Sequence, residues 1–194
     1  MLAPVCVTAP ALLPVSLDEA KAHLRVAHGD DDTLIESYLA AAVDHLDGWT
    51  GILGRCLVEQ EWRQDFEVFA RCLPLPLGPV ISITAVSHTD DAGDAVTVEV
   101  DDYALKVDAG GRARVELASG VSISGSVSIT YRAGYRNTAG DEATSTVPPA
   151  IKTAIMLMVS NWYQNSSAVN VGNIVNEMPF GVAALIGPYR RPGV

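Results

Sequence analysis

The side chains in this sequence with the reach to do chemistry are mostly carboxylates in turns. Asp90, Asp91 and Asp94 cluster between two apolar runs, and Asp101 and Asp102 follow close behind. Oxygens of this kind ligate calcium when acids alternate around a central glycine and end on a glutamate, a spacing neither group has. Solvated turn carboxylates are the expectation. His23, His28, His45 and His88 fall on separate stretches, with no pair at metal-ligand spacing. Ser122 sits in Gly120-Val121-Ser122-Ile123-Ser124 and lacks the second glycine of a nucleophile elbow. Gly110-Gly111 reads as a hairpin turn rather than a phosphate cradle, and no phosphate loop or dinucleotide fingerprint occurs. Cys6, Cys56 and Cys72 are odd in number and widely spaced, which fits idle thiols rather than a disulfide framework or a zinc site. No catalytic, metal or cofactor site is expected. Tyr189-Arg190-Arg191 is the concentrated positive charge after Lys152. It reads either as a solvated tail or as a docking arm offering an aromatic ring and a bidentate cation to a partner.

Composition narrows the class. The chain has 194 residues, is 48% hydrophobic and 19% charged, and carries a net charge of −10. That length suits one full domain or a core plus a smaller module. A surface of this sign repels phosphate, so sequence-specific or tight DNA binding is disfavoured, although a protein past which DNA slides is not. No apolar run is long enough to cross a bilayer. The start, MLAPVCVTAPALLPV, lacks a basic beginning and contains Pro4, Pro10 and Pro14. An extended arm rather than a signal peptide is expected, with synthesis and function without export.

The elements that would position these residues centre on Val147–Asn165. Prolines at 148 and 149 suit a first helical turn, and Ala150–Asn165 then runs free of Gly and Pro. Helical spacing aligns Ile151, Ile155, Met158 and Trp162, flanked by Ala154 and Val159, with Met156 and Tyr163 further round. This arc is wider than a surface helix needs, which predicts packing on more than one side by the chain's own helices; a central core helix in a monomer and a further contact with a neighbouring subunit are both consistent with it. Burial of Ile155, Met158 or Trp162 contributes roughly 1.5–3 kcal/mol each.

Upstream, Ser16-Leu17-Asp18-Glu19 spells a capping box for a first helix running to about Val26. Asp31-Asp32-Thr33 starts a second, expected to reach Trp49 and to bury Leu34, Ile35, Tyr38, Leu39, Ala42, Leu46 and Trp49. From Arg55 the period changes to two. Cys56, Val58, Gln60, Trp62, Gln64, Phe66 and Val68 alternate with Leu57, Glu59, Glu61, Arg63, Asp65 and Glu67, and further runs lie at 80–88, 95–100, 103–107, 113–117 and 121–131. The Leu73–Pro79 segment reads as an extended edge crossing. Six short strands suggest a small antiparallel sandwich or open barrel inserted into a helical bundle core, an α+β fold. The expected organisation is an arm and two helices over 1–54 and an inserted β module over 55–135. A loop and core helix over 136–165 and a flexible C-terminal docking segment over 166–194 complete it.

The order of these pieces resembles a known family. Pro14-Val15-Ser16-Leu17-Asp18-Glu19-Ala20-Lys21-Ala22-His23-Leu24, the Asp31-Asp32 helix start and Trp49-Thr50-Gly51 resemble the N-terminal half of phage head-tail connector (adaptor) proteins. The Leu-Pro crossing before Val80, Tyr131-Arg132-Ala133-Gly134-Tyr135, Val147-Pro148 before Ala150-Ile151, Trp162-Tyr163 and the ending Leu185–Arg190 continue the likeness. Relatives often carry a basic residue soon after the aromatic pair, where this chain has Asn165-Ser166.

The resemblance implies a non-enzymatic virion protein of tailed phages, prophages or gene transfer agents, made in the bacterial cytoplasm and resident in the particle neck. It implies a homo-oligomeric ring, typically twelvefold, between the portal and the next neck, tail or stopper protein, with DNA passing through the channel. A subunit or portal interface at Trp162, Tyr163, Tyr189, Arg190 and Arg191 is expected on that basis. The alternative from a different class is a soluble β-sandwich module that recognises a glycan or peptide.

Overall fold

The computed structural model describes residues 2–68, 70–90, 92–121, 123, 125–137, 145–165 and 180–191. The chain divides into two compact units, one of residues 1–11 and 58–136 and the other essentially of 12–57 and 137–193.

The second unit holds four helices. Helix α1 (Leu17–Leu24) starts on the capping box that the sequence spells: Glu19 N–H donates to Ser16 Oγ at 3.1 Å and Ser16 N–H to Glu19 Oε2 at 2.9 Å. It stops at Arg25, which takes the left-handed conformation at φ 60°. Helix α2 (Asp32–Leu46) buries Ile35, Leu39, Ala42, Val43 and Leu46. It ends three residues short of the expected Trp49, because Asp47 turns to extended backbone and its Oδ1 accepts the Leu57 N–H at 2.5 Å. Trp49 is therefore left 43% exposed, and Leu34, in the first turn, 42%. Both were expected inside.

Helix α3 (Pro149–Gln164) buries Ile151, Ala154, Ile155, Met158 and Val159. None of residues 150–163 is fully exposed. Helices α1, α2 and α4 (Phe180–Ile186) all pack on it. The chain's own helices thus cover much of the wide apolar arc, leaving Met156, Leu157 and Trp162 half-buried. Helix α4 is longer than the single turn expected at 182–186, and it is anchored by the buried Val182 and Ile186. Residues 166–179, expected as a loop or short hairpin, lie outside the described residues. Residues 180–191 of the expected flexible segment are ordered as α4 and a 3-10 turn at Gly187–Tyr189.

The other unit holds two open antiparallel sheets. The larger has the order β1 (Val5–Thr8), β2 (Gln60–Phe66), β8 (Val127–Ala133), β4 (Val80–Thr89), β5 (Ala95–Thr97). The smaller runs β3 (Cys72–Leu75), β7 (Ala113–Leu117), β6 (Tyr103–Val107). Alternation along β2 works as expected: Gln60, Trp62, Gln64 and Phe66 are buried. Across the ladder they face Ala133, Tyr131, Ile129 and Val127, the buried side of the central β8. The two buried glutamines are held by hydrogen bonds: Trp62 Nε1 donates to Gln60 Oε1 at 3.1 Å, and Gln64 Nε2 donates to Leu2 O at 2.7 Å.

Three strand expectations shift. The N-terminal arm is extended and also paired, Val5 with Arg63 and Cys6 with Trp62, as an edge strand. The Leu-Pro crossing forms the short edge strand β3, where the missing N–H of Pro74 is tolerated. The run at 121–131 yields a strand only from Val127, since Val121 N–H closes a turn on Ala118 O and Gly125 stands at φ 81°. Gly134, just after β8, stands at φ 121°, and a Cβ there would collide with the backbone of Val58 and Glu59. Only glycine fits that approach. No helix among the described residues is long and apolar enough to cross a membrane.

Candidate functional site

The residues expected at an interface fall at two places in the helical unit. At the C-terminal end of α3, the Trp162 ring packs on Tyr38 of α2, centroids 6.2 Å apart and planes tilted by 59°. The adjacent Tyr163 hydroxyl donates to Asp31 Oδ2 at 2.5 Å. That hydrogen bond, with burial and the Asp31 charge, raises the phenol's pKa above its ordinary value. Asp31 occupies the N-cap of α2 but makes no side-chain cap bond, its carboxylate being turned to Tyr163. Further along, Lys152 Nζ lies 3.3 Å from Glu19 Oε1, and Lys21 Nζ lies 2.6 Å from Asp32 Oδ1. These pairs link α1 to α3 and to the first residue of α2.

The second place is the turn after α2. Gly48 N–H donates to Arg55 O at 2.8 Å, closing the turn. The C-terminal residues lie back on it: Arg191 N–H donates to Leu53 O at 2.9 Å, and the Arg55 guanidinium stands 6.0 Å from the centre of the Tyr189 ring. Arg190 is exposed, while Tyr189 and Arg191 are half-buried. The aromatic and backbone of the expected docking arm therefore have work inside their own subunit. Sequence reading missed Asp31, Tyr38 and Arg55 as their partners, and no local pattern marks them.

The turn carboxylates behave as turn residues. Asp90 Oδ1 accepts the N–H groups of Ala92 and Asp94 at 2.9 and 2.8 Å. Asp108 Oδ1 accepts the Arg112 N–H at 2.9 Å, which holds its carboxyl below the ordinary range. No group of three or more His, Cys, Asp or Glu side chains among the described residues is arranged to hold a metal ion. An open depression is lined by Arg71, Leu117–Val121 and Ile123, and it offers one ionisable side chain, Arg71.

One grouping was invisible as a run of sequence. Antiparallel pairing sets Lys106 of β6 directly opposite Arg114 of β7, with Arg112 at the turn end and Arg71 leading into β3. Arg114 Nε meets Glu116 Oε1 at 2.6 Å.

Residues 14–68 match the family described as phage gp6-like head-tail connector protein. No curated protein sequence matches the chain. Among solved structures, a chain of the virion of a native gene transfer agent (GTA) particle shares the fold at a TM-score of 0.76 and 25% identity. A chain from the neck of the empty GTA particle, computed with C6 symmetry, has a TM-score of 0.74 at 26% identity. One from the native neck, computed with C12 symmetry, has 0.72 at 26% identity. In all three the alignment covers 100% of this chain and 97% of the other. The N-terminal stretch and the fold of the whole chain thus agree in their likeness, the first to phage gp6-like head-tail connector proteins and the second to chains of gene transfer agent particles and their necks.

Proposed function

We propose that this chain sits in the neck of a gene transfer agent or phage particle, as one of a ring of identical subunits between the portal and the next tail or stopper protein. The observation that carries the reading is the full-length likeness to chains of necks computed with C6 and C12 symmetry. A closed ring needs two different side surfaces on each subunit. A net charge of −10 gives a channel wall along which DNA slides without being held. Of the residues expected at an interface, Arg190 is the one left exposed, and it is our candidate for contact with the portal or with a neighbouring subunit. Trp162, Tyr163, Tyr189 and Arg191 act there by holding the supporting surface in place.

The test is deletion of the gene followed by imaging of the particles. DNA-filled heads and separate tails are expected, and restored joining on complementation. Normal joined particles without this chain, or a neck with no density for it, would end the proposal.

A further inference from the structure

Four of the chain's 13 cations, Arg71, Lys106, Arg112 and Arg114, gather on and around the three-stranded sheet of a protein that is otherwise strongly acidic. Lys106 and Arg114 are direct cross-strand neighbours, so their side chains leave the same face of the sheet. Like charges directly opposite each other destabilise a sheet. Glu116 forms a close ion pair with Arg114, while Lys106, Arg71 and Arg112 feel Glu116 or Asp108 only at longer range and have no carboxylate within ion-pair reach among the described residues. An arrangement that costs stability in the free subunit and leaves its cations outward is suited to an acidic partner.

The same unit carries exposed acids of the opposite sign. Glu99 and Asp101, both exposed, lie in the stretch that leads into β6, at the opposite end of that strand from the β6–β7 turn. We infer that the Lys106–Arg114 face of the small sheet docks the Glu99–Asp101 surface of a second copy of this chain, head to tail. The inference rests on the ring reading above and names its two complementary sides.

Lys106→Glu separates folding from assembly, since it places an acid opposite Arg114 and removes the repulsion inside the sheet. The free variant should melt no lower than the parent. Its copy number in purified particles should fall about tenfold, as expected for reversal of an interface charge. Adding Glu99→Lys and Asp101→Lys to the same chain should return it to within about twofold of the parent. Unchanged incorporation of Lys106→Glu, or failure of the combined variant to recover, overturns the docking. Full copy number with loss of packaged DNA would assign the face to nucleic acid and overturn it equally. Absence of parental rings from parental particles would instead end the ring reading itself.

Discussion

The phenol of Tyr163 and the carboxylate of Asp31 meet at 2.5 Å, 132 residues apart in sequence, and tie the last turn of α3 to the residue that starts α2. The pair replaces an ordinary N-cap bond, because the Asp31 side chain has no capping contact of its own. Tyr163→Phe keeps the ring and removes the donor, so its urea midpoint should fall at neutral pH. The folded phenol's pKa is raised, so the stabilisation is complete below the unfolded tyrosine value near 10 and is lost as pH rises through the folded value. Midpoints of parent and variant should converge in alkali. Parallel curves from neutral pH upward would argue against the bond.

Glu19 gives the acid-side counterpart. Burial pushes its carboxyl up, but the Ser16 N–H and the Lys152 ammonium outweigh that and leave it below the ordinary value. A depressed folded pKa stabilises above the unfolded carboxylate value, about 4.3, and the gain is lost as pH falls through the folded one. Glu19→Gln should flatten that segment of the stability profile. Ser16→Ala, which removes the other half of the capping box, should cost about 1 kcal/mol.

Gly134 tests the junction of β2 and β8. Gly134→Ala forces a side chain into a positive-φ site already occupied by the Val58 and Glu59 backbone. A loss of about 3 kcal/mol or more is expected in urea unfolding, with the ladder end at Gln60–Ala133 exchanging first. A parent-like midpoint would show that the backbone there is free to move.

Tyr189 tests whether the C-terminal residues are pinned within their own subunit. Tyr189→Ala removes the face on which Arg55 lies, a contact of about 0.5–1 kcal/mol. Exchange of the Arg191 amide, which is bonded to Leu53 O, should rise about twofold to fivefold in hydrogen-exchange measurements. No change would mean that the backbone bond alone holds the strap.

Sequence alone determined what depends on near neighbours along the chain. The Ser16–Glu19 box needs four residues, the two-residue period of β2 needs seven, and the apolar line of α3 repeats within each turn, so all three were legible. The order of such pieces also carried the family likeness. Tertiary structure decided whatever joins distant residues. β1 has no buried face of its own and is a strand because the edge of β2 accepts it. The breadth of the α3 arc says how much must be covered but not by what, and α1, α2 and α4 supply the cover within this chain. Asp31 reads as a cap until Tyr163 arrives, and Lys106 and Arg114 read as isolated charges until antiparallel register sets them face to face. Periodicity encodes which side of an element must leave water. The partner that receives it is fixed only when the whole chain competes for the same surfaces.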